Sequence, residues 1–460
     1  APFQTRPPSS MSPLALSGLV LFAVVVLLVL VLVVRLHAFV ALLITSLLVA
    51  ILGGIPLDEI ASVIQEGMGN TLGYIAVVIG LGAMVGEMLR QSGGAQAIAA
   101  TLLRTSGDAR APWALSLTGL LVAIPVFFDV ALILFIPLVY TIAERTGRSL
   151  LYYAIPLLAG IAVAHSFIPP TPGPVAVAGL LGADLGWVIL FGFAAGVPAV
   201  LVGGVFFGRY IAGRIHLDVP EAMQDAAPDE TDGGPKFPPS FAQAVGVIAL
   251  PLVLILLGTA SDLLLEEGTA LRRALDFVGH PFTALTLAVV IAFYVLGVRG
   301  GYTMRAVQEV ATKALEPVGL IILVTGAGGV LGRVLVETGV GEALAEAMAA
   351  SNLPVVLLAF LIALVVRVSQ GSATVSMVTA AGLVAPALQA GDVAAPLLGL
   401  VTIAIAAGAT VLSHVNDSGF WLVGRFLGMD EGQTLRSWTV METLVGLVGL
   451  AVVLGLSAFV

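Results

Sequence analysis

The chain has 460 residues, of which 59% are hydrophobic and only 10% charged, with no cysteine and a formal net charge of −9. Soluble domains are about 25% charged, so this composition, with a mean hydropathy of +1.10, excludes an ordinary water-soluble enzyme. The absence of cysteine excludes thiol catalysis, disulfides and Cys-based metal sites, and the acidic balance excludes electrostatic binding of nucleic acid.

Residues 1–13 read as a leader or tag remnant. The apolar run 14–34 is long enough to cross a bilayer. It lacks the basic start of a signal peptide and is too long for one, so it reads as a retained helix. With a helix predicted over 38–55, it forms an N-terminal scaffold segment, 14–58. Residues 60–70 have mixed polarity and are expected at the interface or in a loop. The first repeat spans 59–212 and has its first predicted helix at 71–89, carrying Gly80, Gly82 and Gly86. Without a preceding strand these are no dinucleotide fingerprint; small residues at helical spacing instead let a neighbouring membrane helix approach. The apolar stretch 111–142 is interrupted by Pro125-Val126-Phe127-Phe128-Asp129 and is expected to be a re-entrant hairpin. Irregular backbone at that depth needs protein or a water-filled cavity to satisfy it. A helix at 150–168 runs into a break around 165–174, where Pro169, Pro170 and Pro172 remove backbone donors and end it. A helix at 186–207 closes this half.

The polar stretch 213–240, rich in Pro, Asp and Glu, reads as a cytoplasmic linker. Scaffold helices at 241–261 and 281–298 follow within 241–316, with 302–315 expected at the interface or in a loop. The second repeat, 317–460, has a helix at 317–336 bearing Gly326, Gly328 and Gly332, and a hairpin at 353–390 that turns at Arg367-Val368-Ser369-Gln370-Gly371-Ser372. A helix at 394–413, a break around 413–419 and a last helix at 434–458 complete it. Gly173 and Gly419, Gly182 and Gly428, and Asp184 and Asp430 are each 246 positions apart. Paired broken segments in corresponding halves point to a secondary transporter and its binding site. Five crossings between Thr71 and Pro317, an odd number, make the repeats inverted. Most Lys and Arg fall on one side if the N-terminus is outside, so both termini are expected to be extracytoplasmic. The expected fold is an all-α polytopic membrane protein with two inverted-topology repeats.

Ionisable groups at bilayer depth are costly and mark sites. Asp129 can cap the returning helix of the first hairpin or hold a proton. Ser369, Gln370, Gly371, Ser372 and Thr374 surround a half-helix N-terminus whose free N–H groups suit an anion. Arg367 can hold a carboxylate bidentately or pair with Asp129 or Asp417. Thr171 and Gly173 in the first break, and Asn416, Asp417 and Ser418 in the second, are expected to face a cavity and contact hydroxyls. His165 and His414 titrate near physiological pH and can carry a coupling proton or serve packing. Glu87 with Arg90 three residues on, and Glu442 one or two turns inside the last helix, read as structural.

At Phe127-Phe128-Asp129-Val130, His165-Ser166-Phe167 through Pro174, Gln370-Gly371-Ser372-Ala373-Thr374-Val375 and Ser413-His414-Val415-Asn416-Asp417-Ser418-Gly419-Phe420-Trp421, the chain resembles the gluconate permease family. The resemblance covers the chain from about Leu14 to the C-terminus and is weakest in the first helix. It implies uptake of sugar acids or related hydroxy acids by proton symport in a bacterial cytoplasmic membrane. It also implies a homodimer of scaffold and transport domains moving by an elevator-like displacement, with substrate-binding residues that include Phe128 and Ser166.

The expectation is therefore a symporter, not an enzyme. Arg367 and residues 369–374 take the carboxylate; Thr171, Asn416, Asp417 and Ser418 take hydroxyls; Asp129, Asp417, His165 or His414 carries the proton. No cofactor, metal or nucleic acid is expected. A sodium-coupled carrier of a small organic or amino acid is the rival reading, since carbonyl ends of broken helices also coordinate Na⁺. A channel or non-transporting scaffold is a third.

Overall fold

The computed structural model describes residues 13–220, 237–339, 353–391 and 393–460. The expected leader, except Pro13, and most of the expected linker 213–240 lie outside the described residues. Among those described, regular structure is helical throughout, and eight helices are long and apolar enough to cross a membrane. A helix satisfies its own backbone, which a chain this apolar requires in lipid.

The first half contains α1 (Pro13–Leu28), α2 (Ala38–Leu52), α3 (Leu57–Gln91), α4 (Gly94–Ser106), α5 (Ala111–Val122), α6 (Phe128–Thr146), α7 (Leu151–Phe167), α8 (Pro172–Leu181) and α9 (Leu185–Ala212). The second contains α10 (Phe241–Leu264), α11 (Ala270–Gly279), α12 (Pro281–Gly300), α13 (Met304–Leu315), α14 (Val318–Glu337), α15 (Val355–Gln370), α16 (Ala373–Ala390), α17 (Ala395–Thr410), α18 (Ser418–Leu427) and α19 (Glu431–Ser457).

Two segments expected at the interface or in loops are helices. Residues 60–70 belong to α3, a continuous helix of 35 residues. Their mixed polarity is a one-sided pattern, with Ile60, Val63 and Gly67 buried. Residues 304–315 form α13, which packs on α3 through Val307, Val310, Ala311 and Ala314 at helical spacing.

The landmarks 246 positions apart are helix punctuation. Gly182 and Gly428 end α8 and α18 in left-handed backbone, with φ of 71° and 65°, the conformation glycine adopts without penalty. Asp184 and Asp430 then cap α9 and α19, accepting hydrogen bonds from Gly186 and Trp187, and from Gln433. Proline sets the start of α8, with Pro172 in its first turn.

α5 has 12 residues, about 18 Å of helix, too short to cross a 30 Å hydrocarbon core. It and α6 both pack against α7, while α15 packs against both α16 and α17. The apolar interior divides into two clusters: a small one joining α1, α2, the start of α3 and Val324–Leu335 of α14, and a large one holding most of the remainder.

Helix α14 is wedged between α3 and α16 by the glycines. A Cβ on Gly329 would lie 1.9 Å from Thr71 Oγ1, and one on Gly328 would lie 2.4 Å from Val378 Cγ1. Gly86 lets α3 touch the turn after α5, since its Cβ would sit 1.7 Å from the Pro125 carbonyl oxygen. Overpacking of this kind costs about 1–3 kcal/mol. Gly86→Ala is expected to lower thermal stability in detergent, whereas Gly73→Ala, with nothing within 4 Å, should be neutral or slightly stabilising. Equal melting temperatures for the two variants would contradict the close approach.

Candidate functional site

The tip of the second hairpin and the second break are built as one unit. Helix α15 ends at Gln370, Gly371 turns the chain with φ of 83°, and Ser372 caps α16 by accepting from the Val375 N–H. The space where a side chain on Gly371 would sit is filled by the Asn416 carbonyl oxygen, 2.1 Å from an ideal Cβ. Asn416 Nδ2 donates to the Val368 carbonyl at 2.8 Å, and His414 Nε2 lies 3.1 Å from the same oxygen. Asn416 and His414 therefore tie the break to the end of α15; neither lines the cavity described below.

Arg367 is buried, and its Nη2 lies 2.5 Å from Asp417 Oδ2. Of the two ion-pair partners open from sequence, Asp417 is the one in place. The same carboxylate oxygen accepts from Ser413 Oγ at 2.5 Å, while Oδ1 accepts from the Gly419 N–H at 3.0 Å and so caps α18. Trp438 Nε1 donates to Ser413 Oγ at 2.6 Å, and Thr439 donates to the Ser413 carbonyl. The result is a continuous buried network from Trp438 through Ser413 and Asp417 to Arg367. Arg367 Nε and Nη1 are buried and have no hydrogen-bond partner among the described residues.

A cavity of about 350 Å³ opens beside this network, within the size range of small-molecule sites. Its polar wall includes Asp129, His165, Ser166, Arg367, Ser372, Thr374, Asp417, Ser418 and Glu442; Phe128, Trp438, Leu320 and Ile321 are among its apolar members. The Ser166, Thr374 and Ser418 hydroxyls bond to no protein group among the described residues. Phe128 sits between His165 and Trp438, with ring centroids 6.5 and 5.4 Å away.

Several residues expected to face substrate are used by the fold instead. The Thr171 hydroxyl donates to the Ile168 carbonyl at 2.6 Å and lines a separate small void with His165. Gly173 packs under Met377, whose sulfur lies 2.5 Å from an ideal Cβ. Ser369 donates back to the Val365 carbonyl, and Gln370 has a buried amide with no partner and lies off the cavity. Asp129 is not the cap of α6. That helix begins at Phe128, which puts Asp129 inside its first turn, exposed and making no cap bond; a carboxylate there still complements the helix dipole. His165 lies at the wall with a buried Nδ1 that has no partner. Glu87 and Arg90 form the expected local pair, with Arg90 Nε 2.9 Å from Glu87 Oε2.

Trp438, Glu442, Leu320 and Ile321 are cavity residues that sequence reasoning missed. For Glu442 the signal was present, an acid inside an apolar helix. Helix α19 starts at Glu431, so Glu442 lies about 16 Å along it, deeper than a start near 434 implies.

Removing one member of a buried ion pair strands the other charge, at about 3–5 kcal/mol, whereas replacing both with apolar residues is often neutral. Arg367→Met and Asp417→Leu are each expected to lower thermal stability strongly, and the double variant to recover much of the loss. Additive losses in detergent-solubilised protein would show that the two side chains are not coupled.

The profile of the GntP family permeases matches residues 15–460. A low-affinity gluconate transporter of Escherichia coli is 42% identical over 425 residues, covering 92% of this chain and 94% of that protein. A gluconate permease of Pseudomonas aeruginosa is 38% identical over 427 residues, covering 92% and 93% respectively. Among solved structures, the YdaH transporter of Alcanivorax borkumensis superposes with a TM-score of 0.60 at 16% identity, over 88% of this chain and 90% of that one, a likeness of fold alone. The profile match and the two relatives agree across nearly the whole sequence: the chain belongs to the GntP family of permeases, multi-pass membrane transporters rather than enzymes.

Proposed function

We propose that the protein imports gluconate or a related sugar acid by proton symport. The observation that carries this reading is the half-satisfied guanidinium of Arg367 on the cavity wall, which meets Asp417 through Nη2 while its buried Nε and Nη1 have no partner among the described residues. A substrate carboxylate supplies the acceptors those donors lack, in the bidentate geometry guanidinium favours. The Ser166, Ser372, Thr374 and Ser418 hydroxyls line the same space and suit a polyol chain. Phe128 and Trp438 offer apolar surface to its C–H faces. The relatives named as gluconate transporters support the substrate class.

Charge supports the coupling. Asp129, Asp417 and Glu442 share the cavity wall with one permanent cation, Arg367, which Asp417 contacts directly. An entering carboxylate adds a further negative charge at close range in a medium of low dielectric, where like charges repel strongly. A proton taken up with the anion removes that penalty and makes the two bind cooperatively. The candidates that sequence offered for holding it are Asp129, Asp417, His165 and His414, and the cavity wall adds Glu442.

In the same reading the two halves are inverted repeats with both termini outside. The hairpins α5–α6 and α15–α16, with the breaks between α7 and α8 and between α17 and α18, form the moving part. That part is carried past a scaffold of the N-terminal and 241–316 helices, in an elevator-like displacement within a dimer.

The test is uptake of labelled gluconate into proteoliposomes under an inward proton gradient, with and without sodium. Accumulation that a protonophore abolishes and sodium does not change is the expected result; sodium dependence at fixed pH would overturn the proton assignment. Arg367→Lys replaces a planar fork by a point charge and forfeits about 1.5–3 kcal/mol of charge-assisted bonding. Its apparent gluconate affinity is expected to fall roughly tenfold to a hundredfold, and unchanged affinity would remove Arg367 from the substrate.

A further inference from the structure

We infer that Glu442 holds the coupling proton, an inference that rests on the proton-symport reading above and names the site of that coupling. Glu442 is 4% exposed and lies on the wall of the cavity that contains Arg367 and Asp417. Its carboxylate makes no hydrogen bond and no ion pair among the described residues. Every other titratable candidate differs from it in a way that matters. Asp417 has both oxygens committed, to Arg367, Ser413 and the Gly419 N–H, so a proton there would disturb the network that joins hairpin to break. Asp129 is far more exposed than Glu442. His414 is bound to the Val368 carbonyl, away from the cavity.

His165, on α7, is half-buried with a buried Nδ1 and lines the same space, yet its protonation acts in the opposite sense. An imidazole gains a charge with its proton, whereas a carboxylate loses one. If Glu442 takes a proton as the substrate carboxylate enters, one anion replaces another and the charge around Arg367 stays constant. An ionised carboxylate at so buried a position is costly without a cation, and among the described residues the cation on the same wall is Arg367. Arg367 on α15 gives part of its guanidinium to Asp417, so it offsets only part of that cost. The facing stretches of α9 and α17 carry no charged residue, and Arg436, two turns earlier on the same helix, is exposed.

The proton balance is simple. Glu442 Oε accepts a proton from the outer solution when the anion binds and returns it to the inner solution when the anion leaves, with no covalent bond made elsewhere. Glu442→Gln keeps the shape and removes the titration. In proteoliposomes the variant is expected to retain gluconate counterflow, which needs no net proton movement, and to lose accumulation driven by a proton gradient. In weakly buffered detergent solution it should take up one proton fewer per gluconate bound than the unaltered protein. Glu442→Asp restores a carboxylate and is expected to retain coupled accumulation with a displaced pH profile. It covers the case in which the glutamine variant fails to fold. Proton-driven accumulation in Glu442→Gln equal to that of the unaltered protein, or an aspartate variant that exchanges gluconate without coupling, would overturn the assignment. An unaltered protein that shows no proton-driven accumulation would instead remove the symport reading itself.

Discussion

The site depends on the buried pair of Arg367 and Asp417. Withdrawing two ions from water is expensive, and only short contacts together with further hydrogen bonds make it tolerable. The chain meets that requirement through Ser413, Trp438 and the Gly419 N–H, which come from the second break and the last helix. The pair therefore does more than join two side chains. It fixes the tip of the second hairpin against the second break, and the tight fit of Gly371 against the Asn416 backbone fixes the same junction. Asp417 satisfies only part of the guanidinium: Nε and Nη1 are buried without a hydrogen-bond partner among the described residues.

The glycines set a different constraint. Helix α14 lies so close to α3 and α16 that backbone and side-chain atoms occupy the places where Cβ atoms would stand. Membrane helices gain no hydrophobic drive from one another, and close packing of small residues takes its place. The cavity lies toward the N-terminal end of α14, at Pro317, Leu320 and Ile321, and close glycine crossings lie further along, at Gly326, Gly328 and Gly329.

The breaks, the hairpin turns and the ionisable residues at depth were legible in the sequence, because proline clusters and polar runs are incompatible with an uninterrupted membrane helix. The repeated Gly and Asp landmarks were legible as a pattern, and the structure supplies their cause in left-handed helix ends and N-caps. What sequence could not give was the direction of individual side chains. Thr171, Ser369, Asn416 and His414 are polar groups at the expected depth whose bonding capacity is spent on nearby carbonyls. Residue type alone does not distinguish a hydroxyl that serves the backbone from one, such as that of Ser166 or Ser418, that faces the cavity. Polarity misled in the other direction at 60–70, where a one-sided helix pattern read as a loop.

The charge inventory of the cavity links substrate class to energetics. A zwitterionic amino acid would bring its own cation and could satisfy both Arg367 and an acidic wall residue without any proton. A sugar acid has no cation to offer, so its carboxylate enters a space already rich in carboxylates and must be accompanied by positive charge. On this argument the coupling is a consequence of what is carried. On the proposed symport reading, a single guanidinium partly used by Asp417, on a wall that also carries Glu442, would favour entry of a hydroxylated monoanion together with a proton.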